Sequence, residues 1–184
     1  LAAAQPAGGR GAEGLCGVIL MSTAGRPLGV VMREQLKANP ANAPVLDQAL
    51  DALDRLEKRE SVDVSAQHPA LQALFAPQVQ PYFMDILVRD PAPLAARIAL
   101  PMLIVQGDRD LQISLADAEA LHGAQPNARL VILPGVTHAL KLVASDDRAA
   151  NMATYADPAL PIAPDVVAAI ADFVTSHSGR KEPR

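Results

Sequence analysis

The sequence predicts an α/β fold, a parallel sheet with a helical segment inserted between its first two strands. Three observations carry this. First, the apolar runs GVILM at 17–21, MLIV at 102–105 and LVIL at 130–133 are continuous rather than alternating. Short runs rich in Val and Ile, closed by Gly, Pro or Ser, read as strands covered on both faces. Second, the last two runs are about 24 residues apart, and the gap holds one helix. Strand, helix and strand at that spacing give two parallel strands joined by a right-handed crossover. Third, the first two runs are about 80 residues apart. One crossover helix does not need that length, so the excess is a helical insertion.

Composition fits this reading and excludes several functions. The chain has 184 residues, enough for one domain with its own core plus a small cap. Half of it is apolar, 20% is charged and the net charge is −4. With no basic block, it is a poor binder of nucleic acid or anionic membranes. Its longest apolar runs are about six residues, far below the ~20 that span a bilayer. Aromatics make up 3% and Trp is absent, which argues against a stacking surface for bases. Cys16 is the single cysteine, so neither an intrachain disulfide nor a Cys-based metal site can form, and the redox compartment stays open.

The elements follow in order. Residues 7–14 are Gly-rich with the pattern G-G-R-G-x-x-G. They precede a strand, whereas a phosphate-binding loop follows one, so they read as a flexible connection. The first 14 residues lack the basic start and long apolar stretch of a signal peptide, and the start at Leu1 is expected to lie inside a larger gene product. Cys16, just ahead of the first strand, is expected to be a small buried residue. In the insertion, Pro44 fits the first turn of a helix. Leu46, Ala49, Leu50, Leu53 and Leu56 form an apolar stripe at helical spacing. Asp51 with Arg55 and Asp54 with Lys58 are four-apart pairs on its polar face. Residues 69–88 carry further apolar positions, broken by Pro77 and Pro81 into two short helices. Pro91, Pro93 and Pro101 mark the return to the sheet.

In the crossover, Ser114 with Asp117 makes a capping box, and Gly123 is a stop signal. Residues 144–163 read as irregular. A last helix starts near Pro164, with Val166, Val167, Ile170, Phe173 and Val174 on one face for docking on the sheet. The tail 178–184 is polar and reads as disordered. The domains are therefore 1–25 and 96–177 for the core, 26–95 for the insertion and 178–184 for the tail.

The chemistry lies at the strand ends. The second strand runs into GDRDLQI at 107–113 and the third into PGVTH at 134–138. Parallel strands deliver both segments to the carboxyl edge of the sheet, where open α/β sheets bind ligands. Neighbouring strands are ~4.8 Å apart, so Asp110 and His138 can meet. A carboxylate beside an imidazole fixes its tautomer and leaves the other ring nitrogen as a general base. Either residue alone has an ordinary explanation, since Gly-Asp is a turn signal. Their matching positions on consecutive strands single them out. His68 reads as a turn residue, His122 as a favourable cation in a last helical turn, and His177 lies near the tail. No pair among them has metal-ligand spacing, so no metal or other cofactor is expected.

The segments LPMLIVQGDRDLQIS and, some 25 residues later, LVILPGVTHALK resemble the C-terminal half of the α/β-hydrolase superfamily. That family orders its triad Ser, Asp, His along the chain. The resemblance implies a partial α/β-hydrolase fold, a sheet remnant of strands six to eight with a helical lid inserted after strand six. It makes Asp110 the triad acid, Asp108 a turn-former and His138 the base. Residues 1–5 become the end of the helix behind the nucleophile. A lid wall of Phe75, Tyr82, Phe83 and Ile86 is the implied substrate-binding surface, with packing of the lid on the core as their bland alternative.

The sequence departs from the family in one respect. No G-x-S-x-G nucleophile turn occurs, and none of the serines has that context. Ser22, at the end of the first strand, reads as a strand-end hydrogen-bonding residue. The expectation is the C-terminal part of a serine hydrolase acting on a small carboxylic ester or related acyl compound, inactive by itself. Its nucleophile would come from elsewhere. An Asp-nucleophile hydrolase acting on epoxides or haloalkanes, and a non-catalytic binding module, are the alternatives. The free edge at 17–22 is expected to pair with another copy or with a completing partner chain.

Overall fold

The computed structural model describes residues 14–177. The readings of residues 1–5, of the glycine-rich stretch before Gly14, and of the tail at 178–184 lie outside them. The element order is β1 (Val18–Met21), α1 (Leu28–Ala38), a 3-10 turn (Pro40–Val45), α2 (Leu46–Glu57), α3 (Pro69–Leu74), α4 (Gln80–Ile86), α5 (Pro91–Ala96), β2 (Met102–Gly107), α6 (Leu115–Ala124), β3 (Arg129–Leu133), α7 (Arg148–Ala156) and α8 (Pro164–His177). The chain divides into two compact units, residues 26–90 and the remainder.

The larger unit is built on a parallel sheet in the order β1-β2-β3. Met21 stands opposite Val105, and Gly107 opposite Leu133, so the strands end together along one edge. Only the central strand β2 is buried throughout; β1 and β3 are half-covered. Expected burial on both faces therefore holds for the middle strand and fails at the edges, where, among the described residues, a neighbour is present on one side only. The strand period of two splits β2 between two cores. Met102 and Ile104 pack with Ala95, Ile98, Ala118 and Leu121 on one face, while Leu103 and Val105 pack with Val136, Val166 and Phe173 on the other.

Helix α6 starts on the expected capping box. Asp117 accepts from the Ser114 amide and hydroxyl at 3.2 and 2.9 Å, and its other oxygen accepts from Gly25 N at 3.1 Å. Gly123 lies within the helix, which closes instead at Gln125. Two further expectations are corrected. Cys16 is exposed, because it lies ahead of β1 and outside the sheet. The stretch 144–163 is not irregular throughout, since Asp147 caps α7 by accepting from Ala150 N at 2.8 Å. Pro91 opens the return to the sheet-bearing unit, as expected, and with Pro93 it sits in α5, where a proline in a first turn costs no hydrogen bond. On α8, Val166 and Phe173 are buried, whereas Val167 and Val174 are exposed.

The helical unit has its own interior. Ala49, Ala52, Leu53 and Leu56 of α2 pack with Val62, Val64, Leu71, Phe75 and Leu87. Pro44 ends up in the 3-10 turn ahead of α2. The four-apart pairs do not form. Asp54 bonds Arg33 of α1, and Arg55 turns to Glu60 and the Ser61 carbonyl. Gln80 is buried and stitches the loop before α3: its Oε1 accepts from Val62 N at 2.9 Å, and its Nε2 donates to the Val62 and Phe75 carbonyls at 2.8 Å.

Candidate active site

Two loops leave the carboxyl edge of the sheet and are bound to each other through the main chain. Asp108 N donates to Leu133 O at 3.1 Å, Arg109 N to Val136 O at 3.0 Å, and Gly135 N to the Asp108 carboxylate at 2.7 Å. The Asp108 carboxylate thus ties the loop after β2 to the loop after β3. At the end of β2 the approach is so close that a Cβ on Gly107 would lie 2.1 Å from Val136 O, a position only glycine can fill. The second loop is a small hairpin. Gly135 turns it with φ +71°, Val136 bridges Leu142, and Thr137 N donates to Lys141 O at 2.9 Å. His138 sits at its tip.

Within this frame Asp110 and His138 meet. His138 Nδ1 donates to Asp110 Oδ2 at 2.9 Å. Oδ1 of the same carboxylate accepts from Gln112 N at 2.8 Å and Ile113 N at 2.9 Å, and Oδ2 also accepts from Gln106 Nε2 at 3.1 Å. The Asp110 side chain is 0% exposed and that of His138 is 29% exposed. Burial pushes the Asp110 carboxyl up. The bonds from His138, Ile113 and Gln112, with the charge of His138, outweigh it and hold the group below its ordinary range. An ionised carboxylate can only accept, so Nδ1 carries a proton, and in the neutral imidazole the lone pair is on Nε2. No described residue hydrogen-bonds Nε2, which leaves it available as a base at the mouth of the site.

Two residues of this site were not picked out in the sequence. Gln106 is buried one residue before the end of β2. Its Nε2 faces the Gly107 and Ile113 carbonyls at 3.1 and 3.0 Å besides Asp110, and three acceptors around one atom fix the amide's orientation. A polar letter closing an apolar strand was its signal. Tyr155 of α7 lies parallel to the His138 ring, with centroids 6.3 Å apart and an interplanar angle of 14°. Its hydroxyl accepts from Gln112 Nε2 at 3.1 Å. Nothing local in the sequence signals that contact.

The other candidates take different places. Ser22 has φ +43°, and its amide donates to Val105 O at 3.1 Å, but its buried hydroxyl has no partner among the described residues. The strand-end hydrogen bond is thus made by the backbone and not by the side chain. Phe75, Tyr82, Phe83 and Ile86 belong to the helical unit. There Phe75 is fully enclosed and meets Phe83 edge-on at 5.9 Å, Ile86 is half-buried and Tyr82 is exposed. Phe75 is therefore a packing residue of that unit. His68 caps α3, accepting from Ala70 N at 3.2 Å. Among the described residues no cluster of three or more His, Cys, Asp or Glu side chains could hold a metal ion, and no helix is long and apolar enough to cross a membrane.

No protein-family model matches the chain. Esterase EstD of Thermotoga maritima is 32% identical over 128 residues, spanning 66% of this chain and 29% of that protein. The chain thus covers less than a third of the length of this relative. Solved structures similar to it include Rv0554 from Mycobacterium tuberculosis (18% identical, 89% of this chain and 57% of that one, TM-score 0.43). A thermophilic esterase from Thermogutta terrifontis is also 18% identical, over 89% and 57% of the two chains, with a TM-score of 0.43. The enol-lactonase from Burkholderia xenovorans LB400 is 21% identical over 86% and 56%, with a TM-score of 0.38.

Proposed function

We propose that this chain, which is similar to the C-terminal portion of α/β-hydrolases, is the acid–base half of a serine hydrolase for carboxylic esters or related acyl compounds. The single observation that carries the reading is the enclosed Asp110 carboxylate held 2.9 Å from His138 Nδ1. The match to an esterase supports it. A binding module requires neither an enclosed carboxylate nor an imidazole with a fixed tautomer.

The chemistry follows from that geometry. Nε2 of His138 takes the proton of a serine hydroxyl as its oxygen attacks the acyl carbon, and the imidazole becomes a cation. Asp110 stabilises the cation by charge and hydrogen bond without taking the proton. The same proton then goes to the departing alcohol. In the second half a water replaces the alcohol, and His138 repeats the cycle to release the acid. The serine and the donors for the oxyanion come from a segment outside this sequence.

The test is ester turnover by the 184-residue protein alone and by the protein joined to the preceding part of its gene product. We expect no turnover from the first. From the second we expect turnover that His138→Ala reduces by roughly 10⁴-fold or more. Turnover by the chain alone that His138→Ala abolishes would reveal a nucleophile within it. An inert joined protein would overturn the hydrolase reading.

A further inference from the structure

We propose that Tyr155 is a positioning residue for His138: its ring, lying parallel to the imidazole, fixes the tilt of that ring. The role rests on the reading of Asp110 and His138 as an acid–base pair. A single hydrogen bond through Nδ1 holds one edge of the imidazole but leaves the ring free to rock about the line to Asp110. A second constraint must resist that rocking. Tyr155 supplies it. Centroids 6.3 Å apart at 14° describe an offset parallel pair, inside the range in which aromatic rings attract.

The tyrosine is itself held at both ends. Gln112 donates its Nε2 to the phenol oxygen at 3.1 Å while its amide donates to Asp110 at 2.8 Å. Asp110, His138, Tyr155 and Gln112 thereby form a closed ring of contacts. Below the phenol, α7 is bonded to both loops of the site. Asn151 Nδ2 donates to Arg109 O at 2.6 Å, the hydroxyls of Thr154 and Thr137 are 3.2 Å apart, and Lys141 Nζ donates to the Thr154 carbonyl at 2.9 Å. Burial, helped by the Asp110 charge and opposed by Gln112 and Arg148, pushes the Tyr155 hydroxyl up. The ring therefore stays neutral against the imidazole.

The imidazole signals of His138, followed by NMR in the 184-residue protein, test the role without reading turnover. In the wild type and in Tyr155→Phe we expect a downfield Nδ1 proton protected from exchange and His138 ring protons displaced by the current of the neighbouring aromatic ring. Tyr155→Leu should lose both, with the amide signals of β1 to β3 unchanged. Gln112→Ala, which removes the tether and leaves the ring, should weaken both. Identical His138 signals in the wild type and Tyr155→Leu overturn the proposal. Should the leucine variant not fold, undiminished protection and displacement in Gln112→Ala overturn it instead. An inert joined protein would sink the hydrolase reading but would leave these signals as they are, so the two failures are distinguishable.

Discussion

The Asp110 carboxylate is enclosed and still ionised, because four donors stand where water would otherwise be. This has a consequence for acid stability. The folded state holds the carboxyl below its ordinary value of about 3.9, so the stabilisation is complete above that value and is lost as pH falls through the lower folded one. Asp110→Asn removes the linkage. We expect the wild type to lead this variant in urea midpoint at neutral pH, and the lead to shrink progressively below about pH 4. A lead that stays constant with pH would refute the assignment. Asp110 and His138 were legible in the sequence because each follows a readable strand by a few residues. Gln106 carried a signal, a polar residue directly after an apolar run, but nothing local said that its side chain turns to Asp110. Tyr155 was hidden because its contact joins residues 17 positions apart from His138 through a helix whose docking no local pattern announces.

At the scale of elements, the acid and histidine loops are held together mainly by their backbones, and Gly107 is where they come closest. A Cβ there would lie 2.1 Å from Val136 O and 2.6 Å from its carbonyl carbon, and a main-chain neighbour cannot rotate away. Gly107→Ala should cost ~1–3 kcal/mol in chemical denaturation and lengthen the path from Asp110 to His138. Unaltered stability would show that the loops yield more easily than this packing implies. Helix α6 was readable from its sequence because its start is a local device of four residues, Ser114 to Asp117. Helix α7 also has a local start at Asp147, but its Ala-rich body lacks a strong apolar stripe, and so the segment read as irregular. Strand identity was legible and strand burial only partly. An apolar run records what a strand can cover, whereas the neighbours decide how much of it is covered.

At the scale of the molecule, β1 pairs with β2 on one side only among the described residues, and Met21 at its end is exposed. We propose that this edge pairs with a second copy or a completing chain, as open strand edges do. Sedimentation velocity over rising concentration should show association that Met21→Lys suppresses. A monomer throughout would rule it out. The helical unit carries its own sealed interior, stitched by Gln80, and the chain enters and leaves it once each, at Gly25–Arg26 and Asp90–Pro91. Such a module can be lengthened, trimmed or traded over generations without disturbing a single bond between the acid and its imidazole. Chemistry and helical superstructure are thereby free to be inherited separately.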